Sequence, residues 1–243
     1  MDRRKEYIAI DAGNTQLKIA HFLDGEITEI HRIIFSDLNS FAENHPRIVQ
    51  LPGIISSVLN PENTLKIISF FSNCIELSNE TKLPFKNSYA TPTTLGKDRI
   101  CNAAFAFQEN VNGNSVTIDI GTCIKIDLIT QENGYEGGSI SPGIDLRYKS
   151  MNDFTDNLPL INHREQIALI GTTTIESMHS GVINGIQSEI NDLILRYTQK
   201  YEGLTFFVTG GDAKYFDFHS KNNIFAIENL TLRGLSHLFL FND

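Results

Sequence analysis

The sequence predicts an α/β fold made of two related domains, on two observations. Ile8-Ala9-Ile10-Asp11-Ala12-Gly13-Asn14-Thr15 recurs, close to half a chain later, as Thr117-Ile118-Asp119-Ile120-Gly121-Thr122. Around and between the copies, short apolar runs alternate with stretches of helical periodicity. In each copy an apolar strand ends in Asp, turns through Gly and resumes as a second strand, carried by Leu17 and Ile19 in the first and by Ile124, Ile126 and Leu128 in the second. Each domain therefore opens with a β-hairpin, and the domains are placed at residues 1–112 and 113–243, with the Asn-Gly-Asn turn signal at 112–114 marking the boundary.

The remaining elements follow in order. Ile54-Ile55-Ser56-Ser57-Val58 reads as a strand, Pro61 to Phe71 as a helix opening after Asn60, and Cys74 to Leu77 as another strand. Tyr89-Ala90-Thr91-Pro92 is extended or turning, because proline excludes helix from the residue before it. Gly96-Lys97-Asp98-Arg99 then opens a helix running through Ala103, Ala104 and Phe107. After the second hairpin, Gly137-Gly138-Ser139-Ile140-Ser141-Pro142-Gly143 reads as a loop whose glycines admit close approach of a ligand. Met151 to Gln166 is polar and receives no assignment. A long helix follows, with Ile175, Met178, Ile183, Ile186, Ile190, Leu193, Ile194 and Tyr197 at three- and four-residue spacing and a capping box from Thr173 to Glu176. Leu204 to Val208 is a buried strand entering Thr209-Gly210-Gly211-Asp212. Leu230 to Phe241 is a closing helix, free to pack back on the first domain.

Composition narrows the function. A formal net charge of −9 over 243 residues gives no broad positive field for nucleic acid or an anionic membrane. No stretch approaches the roughly 18 apolar residues of a membrane span, and the apolar run at Tyr7–Ile10 is too short for a signal-peptide core. Three cysteines without a CxxC fit neither a disulfide framework nor a zinc knuckle, so a cytoplasmic setting is expected. The seven histidines show no HExxH spacing, which leaves zinc catalysis little room.

Two facing Asp-x-Gly hairpins would offer backbone N–H groups and hydroxyls to phosphate, with two carboxylates placed for a hydrated Mg²⁺. Either copy alone is also ordinary turn chemistry. Lys18 could reach back toward a phosphate or simply be a solvated edge-strand lysine. Asp98 admits two readings, a helix-capping carboxylate and a general base beside an anion-binding Arg99. Thr209-Gly210-Gly211 is a candidate nucleotide contact or a tight turn.

Taken together, these segments resemble the type III pantothenate kinases of the acetate and sugar kinase/actin-like ATPase superfamily. Asp11-Ala12-Gly13-Asn14-Thr15-Gln16-Leu17-Lys18 is similar to the family's ATP phosphate motif. Tyr89, Thr91-Pro92 and Gly96-Lys97-Asp98-Arg99 are similar to its pantothenate-binding and catalytic segment. Asp119-Ile120-Gly121-Thr122 resembles its second phosphate motif, Gly137 to Gly143 its glycine loop, and Gly171-Thr172-Thr173-Thr174 to Gly181 its substrate-side helix. The resemblance implies two ribonuclease H-like, actin-like domains with mixed five-stranded sheets flanked by helices. It implies phosphorylation of pantothenate by ATP, with Asp98 as proton acceptor and Tyr89, Gly96, Lys97, Asp98, Arg99 and Thr174 lining the pantothenate site. Gly13, Asn14, Thr15, Lys18 and Thr122, with the rest of the 11–18 segment, would cradle ATP phosphates. Asp11 would act through Mg²⁺, and Asp119 would bind a monovalent cation, K⁺ or NH₄⁺. The resemblance also implies a homodimer that completes the substrate pocket.

The chain departs from the pattern where small or hydroxyl residues are expected, in Gly121-Thr122-Cys123-Ile124-Lys125. The Lys125 ammonium either points away or substitutes for the monovalent cation beside Asp119. Two other functions remain open on sequence alone, a kinase of another small hydroxylated acid and a non-enzymatic transcriptional accessory factor.

Overall fold

The computed structural model describes residues 5–13, 16–162, 168–218 and 223–243. The chain divides into two compact units. One comprises Met1–Glu109, Asn133–Tyr135 and Asn229–Asp243, the other Asn110–Glu132 and Glu136–Glu228.

The first unit holds a five-stranded sheet in the order β3-β2-β1-β4-β5, formed by β1 (Glu6–Ala12), β2 (Leu17–Leu23), β3 (Glu26–Ile33), β4 (Gly53–Ser57) and β5 (Cys74–Glu76). β1, β2 and β3 run antiparallel, whereas β1, β4 and β5 run parallel. All five residues of β4 are buried, as a central parallel strand covered on both faces requires. Helix α1 (Leu38–Asn44) buries Leu38 and Phe41, and α2 (Pro61–Phe70) buries Thr64 and Ile67. Helix α2 starts where the sequence signals it. Asn60 accepts a hydrogen bond from the Asn63 amide at 2.8 Å, and Pro61 fills the first turn, where no backbone donor is needed. Together these elements bury Ile8, Ile10, Leu17, Ile19, Ile55, Ile67 and Phe71 in one core.

Helix α3 (Lys97–Glu109) packs on the chain's last helix, α6 (Leu230–Asn242), which also lies on β1. The helices are in backbone contact. A Cβ on Gly234 would stand 1.8 Å from the Cys101 carbonyl oxygen, so only glycine fits there. Tyr7 ties β1 to α6 through a 2.6 Å hydrogen bond with Ser236, and its ring stacks on Phe22 at 5.1 Å.

The second unit's sheet runs β10-β9-β6-β7-β8, from β6 (Ser115–Ile120), β7 (Cys123–Thr130), β8 (Gly134–Pro142), β9 (Thr205–Thr209) and β10 (Ile224–Ala226). Taken from the other edge, this is the first sheet's order with an antiparallel opening hairpin and two parallel strands added beyond it. Helix α4 (Ile144–Asp153) precedes α5 (Thr174–Lys200), which turns Met178, Val182, Ile183, Ile186, Ile190 and Ile194 into the core. The expected capping box is present: Thr173 accepts from the Glu176 amide, and the Glu176 carboxylate receives the Thr173 N–H.

One sequence expectation is corrected here. Gly137 to Pro142 is not a loop but the greater part of β8. Its glycines admit a neighbouring strand rather than a ligand, since a Cβ on Gly138 would stand 1.9 Å from the Ile126 carbonyl oxygen. The unassigned segment from Met151 begins as the last turn of α4, and its residues 163–166 lie outside the described residues.

Candidate active site

In the first unit, β1 delivers Asp11 to the end of the sheet, with Lys18 opposite it on β2 and Ser56 beside it on β4. Ala12 and Leu17 close the hairpin and are buried, and the turn is held by the Gly13 amide donating to the Gln16 carbonyl at 3.1 Å. Asn14 and Thr15, both expected at the phosphates, lie outside the described residues.

The second unit repeats the row. Asp119 on β6 stands opposite Lys125 on β7 and beside Thr209 on β9. Lys125 Nζ lies 2.8 Å from Asp119 Oδ2, with only 17% and 12% of the two side chains exposed. So Lys125 does not point away. The turn that follows exposes Thr122 and is closed by the Gly121 amide donating to Cys123. Two further backbone segments converge on this strand end. Gly143, which precedes α4, donates to the Thr122 carbonyl at 2.9 Å, and Asp212 donates to the Ile120 carbonyl at 3.0 Å. Gly210 passes so close to Ile120 that a Cβ would stand 2.2 Å from the carbonyl oxygen, and its φ of +101° suits glycine alone.

The Gly96–Arg99 segment starts α3. Asp98 is in the first turn, where the helix's free N–H groups favour a carboxylate, and its Oδ1 accepts the Arg99 amide at 2.9 Å. Gly96 leaves room for that carboxylate, because a Cβ there would stand 2.5 Å from Asp98 Oδ1. Lys97 turns its ammonium to Glu76 at 3.1 Å. Arg99 is only 4% exposed, with its guanidinium carbon 5.6 Å from the Tyr89 ring centre and 5.7 Å from that of Tyr135. Asp98 and Asp11 belong to one neighbourhood. Burial first, and then the charges of these two carboxylates, push the Cys101 thiol well above its ordinary range.

Thr174 is exposed as the first residue of α5, in the second unit, whereas Tyr89 and Gly96 to Arg99 belong to the first. The Glu176 carboxylate beside it is held below the usual range, chiefly by hydrogen bonds from the Thr172 hydroxyl and amide and also by one from the Thr173 amide, with desolvation opposing them.

Each unit carries groups of the kind that phosphoryl transfer uses: the first a strand-end carboxylate and a carboxylate–arginine pair at a helix start, the second a strand-end carboxylate with turn amides and a hydroxyl beside it. Hard carboxylate oxygens suit Mg²⁺. Among the described residues no three His, Cys, Asp or Glu side chains are grouped to hold a metal.

The family model described as type III pantothenate kinase matches residues 7–196. The chain belongs to the type III pantothenate kinase family. A type III pantothenate kinase of Christiangramia forsetii is 40% identical over 240 residues, covering 97% of this chain and 98% of the relative. Among solved structures, a Campylobacter jejuni protein named for the Baf family of transcriptional activators superposes with a TM-score of 0.63 at 21% identity, over 97% of this chain and 98% of that one. A glucokinase from an Antarctic psychrotroph gives a TM-score of 0.50 at 13% identity, over 98% and 99% of the two chains. At these identities the two structures speak to the fold alone, and that fold is the actin-like ATPase and sugar kinase architecture.

Sequence reasoning missed two neighbours of these residues. Ser56 was visible as one of two serines in an otherwise apolar strand. Tyr135 carried no local signal, since it approaches Arg99 only because the β7–β8 turn folds back on the 86–88 segment.

Proposed function

We propose that the chain transfers the γ-phosphoryl group of ATP to the 4′-hydroxyl of pantothenate, the first step of coenzyme A biosynthesis. The observation that carries this reading is the start of α3, where the Asp98 carboxylate is fixed beside a nearly buried arginine.

Asp98 accepts the proton of the attacking hydroxyl and orients it toward the phosphorus. Arg99, flanked by Tyr89, anchors the pantothenate carboxylate. Gly96 contributes backbone, and so does Lys97, whose ammonium is engaged by Glu76. Thr174, the first residue of α5, binds pantothenate as well. The segment Asp11 to Lys18, including Ala12, Gly13, Asn14, Thr15, Gln16 and Leu17, cradles the phosphates with Thr122. Mg²⁺ supplies charge neutralisation on the phosphates, and Asp11 would hold it through water.

Asp119 is the position of the monovalent cation, K⁺ or NH₄⁺, implied by the family. In this chain the Lys125 ammonium, 2.8 Å from that carboxylate, takes the place of the ion and makes added K⁺ dispensable. The enzyme acts as a homodimer, in keeping with the apolar side chains that α5 and the segment before it expose, Leu160, Leu169, Ile170 and Ile175 among them. It works in the cytoplasm, in keeping with three unpaired cysteines.

The test is ADP release by the purified protein with Mg-ATP, with and without pantothenate, for the wild type and Asp98→Asn. Pantothenate-dependent release that falls about 10²–10⁴-fold in the variant, with unchanged thermal unfolding, is the expected result. Release that ignores pantothenate, or near-normal turnover of Asp98→Asn, overturns the assignment.

A further inference from the structure

Arg99 is only 4% exposed, so its side chain has left most of its hydration behind and its charge must be met by the groups around it. Two aromatic rings stand against it, with the Tyr89 centroid 5.6 Å and the Tyr135 centroid 5.7 Å from its central carbon, within the range where a ring face attracts a cation. The rings are not equivalent. Tyr89 is half-buried, while Tyr135 is fully buried and meets Tyr89 edge-on at 5.8 Å and 67°.

The backbone around Tyr135 is clamped to the segment that carries Tyr89. Tyr135 donates its amide to the Lys86 carbonyl at 2.9 Å and accepts from the Ser88 amide at 2.9 Å, and the Ser88 hydroxyl donates to the Asn133 carbonyl at 2.8 Å. Gly134 permits this approach. Its φ is +71°, and a Cβ would stand 2.0 Å from the Lys86 carbonyl oxygen.

We propose that Tyr135 is a positioning residue for pantothenate recognition: its buried ring, locked to the 86–88 segment, holds the Arg99 guanidinium at the angle from which it binds the substrate's carboxylate. This rests on the reading of Arg99 as the anion anchor given above. Tyr89 is then the exchangeable wall on the substrate side, and Tyr135 the fixed wall behind. The effect belongs to substrate binding, since Arg99 acts on the carboxylate and Asp98 on the hydroxyl that reacts.

The experiment is steady-state kinetics of Tyr135→Phe, Tyr135→Leu, Arg99→Gln and the Tyr135→Leu/Arg99→Gln double variant, with thermal unfolding of each. Expected is a rise of about tenfold in the KM for pantothenate in Tyr135→Leu, with kcat and the KM for ATP within about twofold of wild type, and recovery in Tyr135→Phe, which keeps the ring face. In the Arg99→Gln background the Tyr135→Leu change should add nothing further, because the tyrosine acts through the arginine. Tyr135→Met, equally without a ring, serves if Tyr135→Leu does not fold. Additive effects in the double variant, an unchanged pantothenate KM in Tyr135→Leu, or failure of Tyr135→Phe to recover it overturn the positioning role. An unchanged pantothenate KM in Arg99→Gln overturns the anchor reading itself, and the positioning role with it.

Discussion

Lys125 and Asp119 face each other across the β6–β7 ladder and are joined by a 2.8 Å ion pair at the strand end where the second turn begins. The first hairpin sets Lys18 opposite Asp11 in the same way. The register of each antiparallel hairpin thus sets a lysine opposite the strand-end carboxylate, and in the second hairpin the ammonium meets it in a pair mostly withdrawn from water. A carboxylate so placed needs a compensating charge, and here the chain carries it.

Replacing that ammonium should create a requirement for a salt. Wild-type ADP release is expected to be the same in K⁺ and in a large organic cation. Lys125→Thr should lose about 10²-fold in the organic cation, as when one fixed charge-stabilising group is removed, and recover in K⁺. Wild-type activity that depends fully on K⁺ would sink the idea.

Gly96→Ala should separate catalysis from stability. The added methyl would stand 2.5 Å from Asp98 Oδ1, and a carboxylate can rotate away at little cost to the fold. Turnover is expected to fall by about tenfold or more through misplacement of the base, with thermal unfolding changed by no more than a degree or two. A variant with normal kcat would show that the Asp98 orientation is unimportant.

Gly234→Ala should do the reverse. Its methyl would meet the Cys101 backbone carbonyl at 1.8 Å, and a backbone atom cannot rotate aside as a side chain does. Helices α3 and α6 must separate, at a cost of about 1–3 kcal/mol or more. Urea unfolding of the variant measures this directly, and an unchanged midpoint would contradict the close packing.

Acid should destabilise the first unit before its carboxylates titrate. Burial holds His237 below its ordinary value near 6.5, outweighing the neighbouring Glu109, and Arg233 acts in the same direction as burial. Burial likewise lowers His31, aided by His45 and His21 and opposed by Glu29. A histidine whose folded pKa is depressed favours the fold when neutral. Its contribution is therefore complete above about pH 6.5 and is lost as pH falls through the lower folded value. Stability measured from pH 7.5 to 5 should decline, and His237→Gln should show a shallower decline. Equal slopes for the two proteins would remove His237 from the account.

Local elements were largely legible because their signals are local. The Asn60 cap, the capping box at Thr173 and the stripe along α5 lie within a few residues of what they control. Strand β8 was misread for the same reason. Glycine weakens a strand in isolation, and only the neighbouring Ile126 carbonyl shows that Gly138 is there to let two strands approach. The repeated Asp-x-Gly turn foretold two similar halves, but not that Ser56 and Thr209 stand beside Asp11 and Asp119, since parallel pairing joins strands far apart in the chain.

By itself, then, the sequence determined the two hairpins, the starts of α2, α3, α5 and α6, the family and the identities of the charged groups, all of which depend on residue type at short spacing. Tertiary structure alone decided which partner each group meets: Lys125 at Asp119, Glu76 at Lys97, and Tyr135 behind Arg99. Hairpin register, helix packing and a glycine-permitted turn make those contacts, and their energy is realised only when distant segments leave water together.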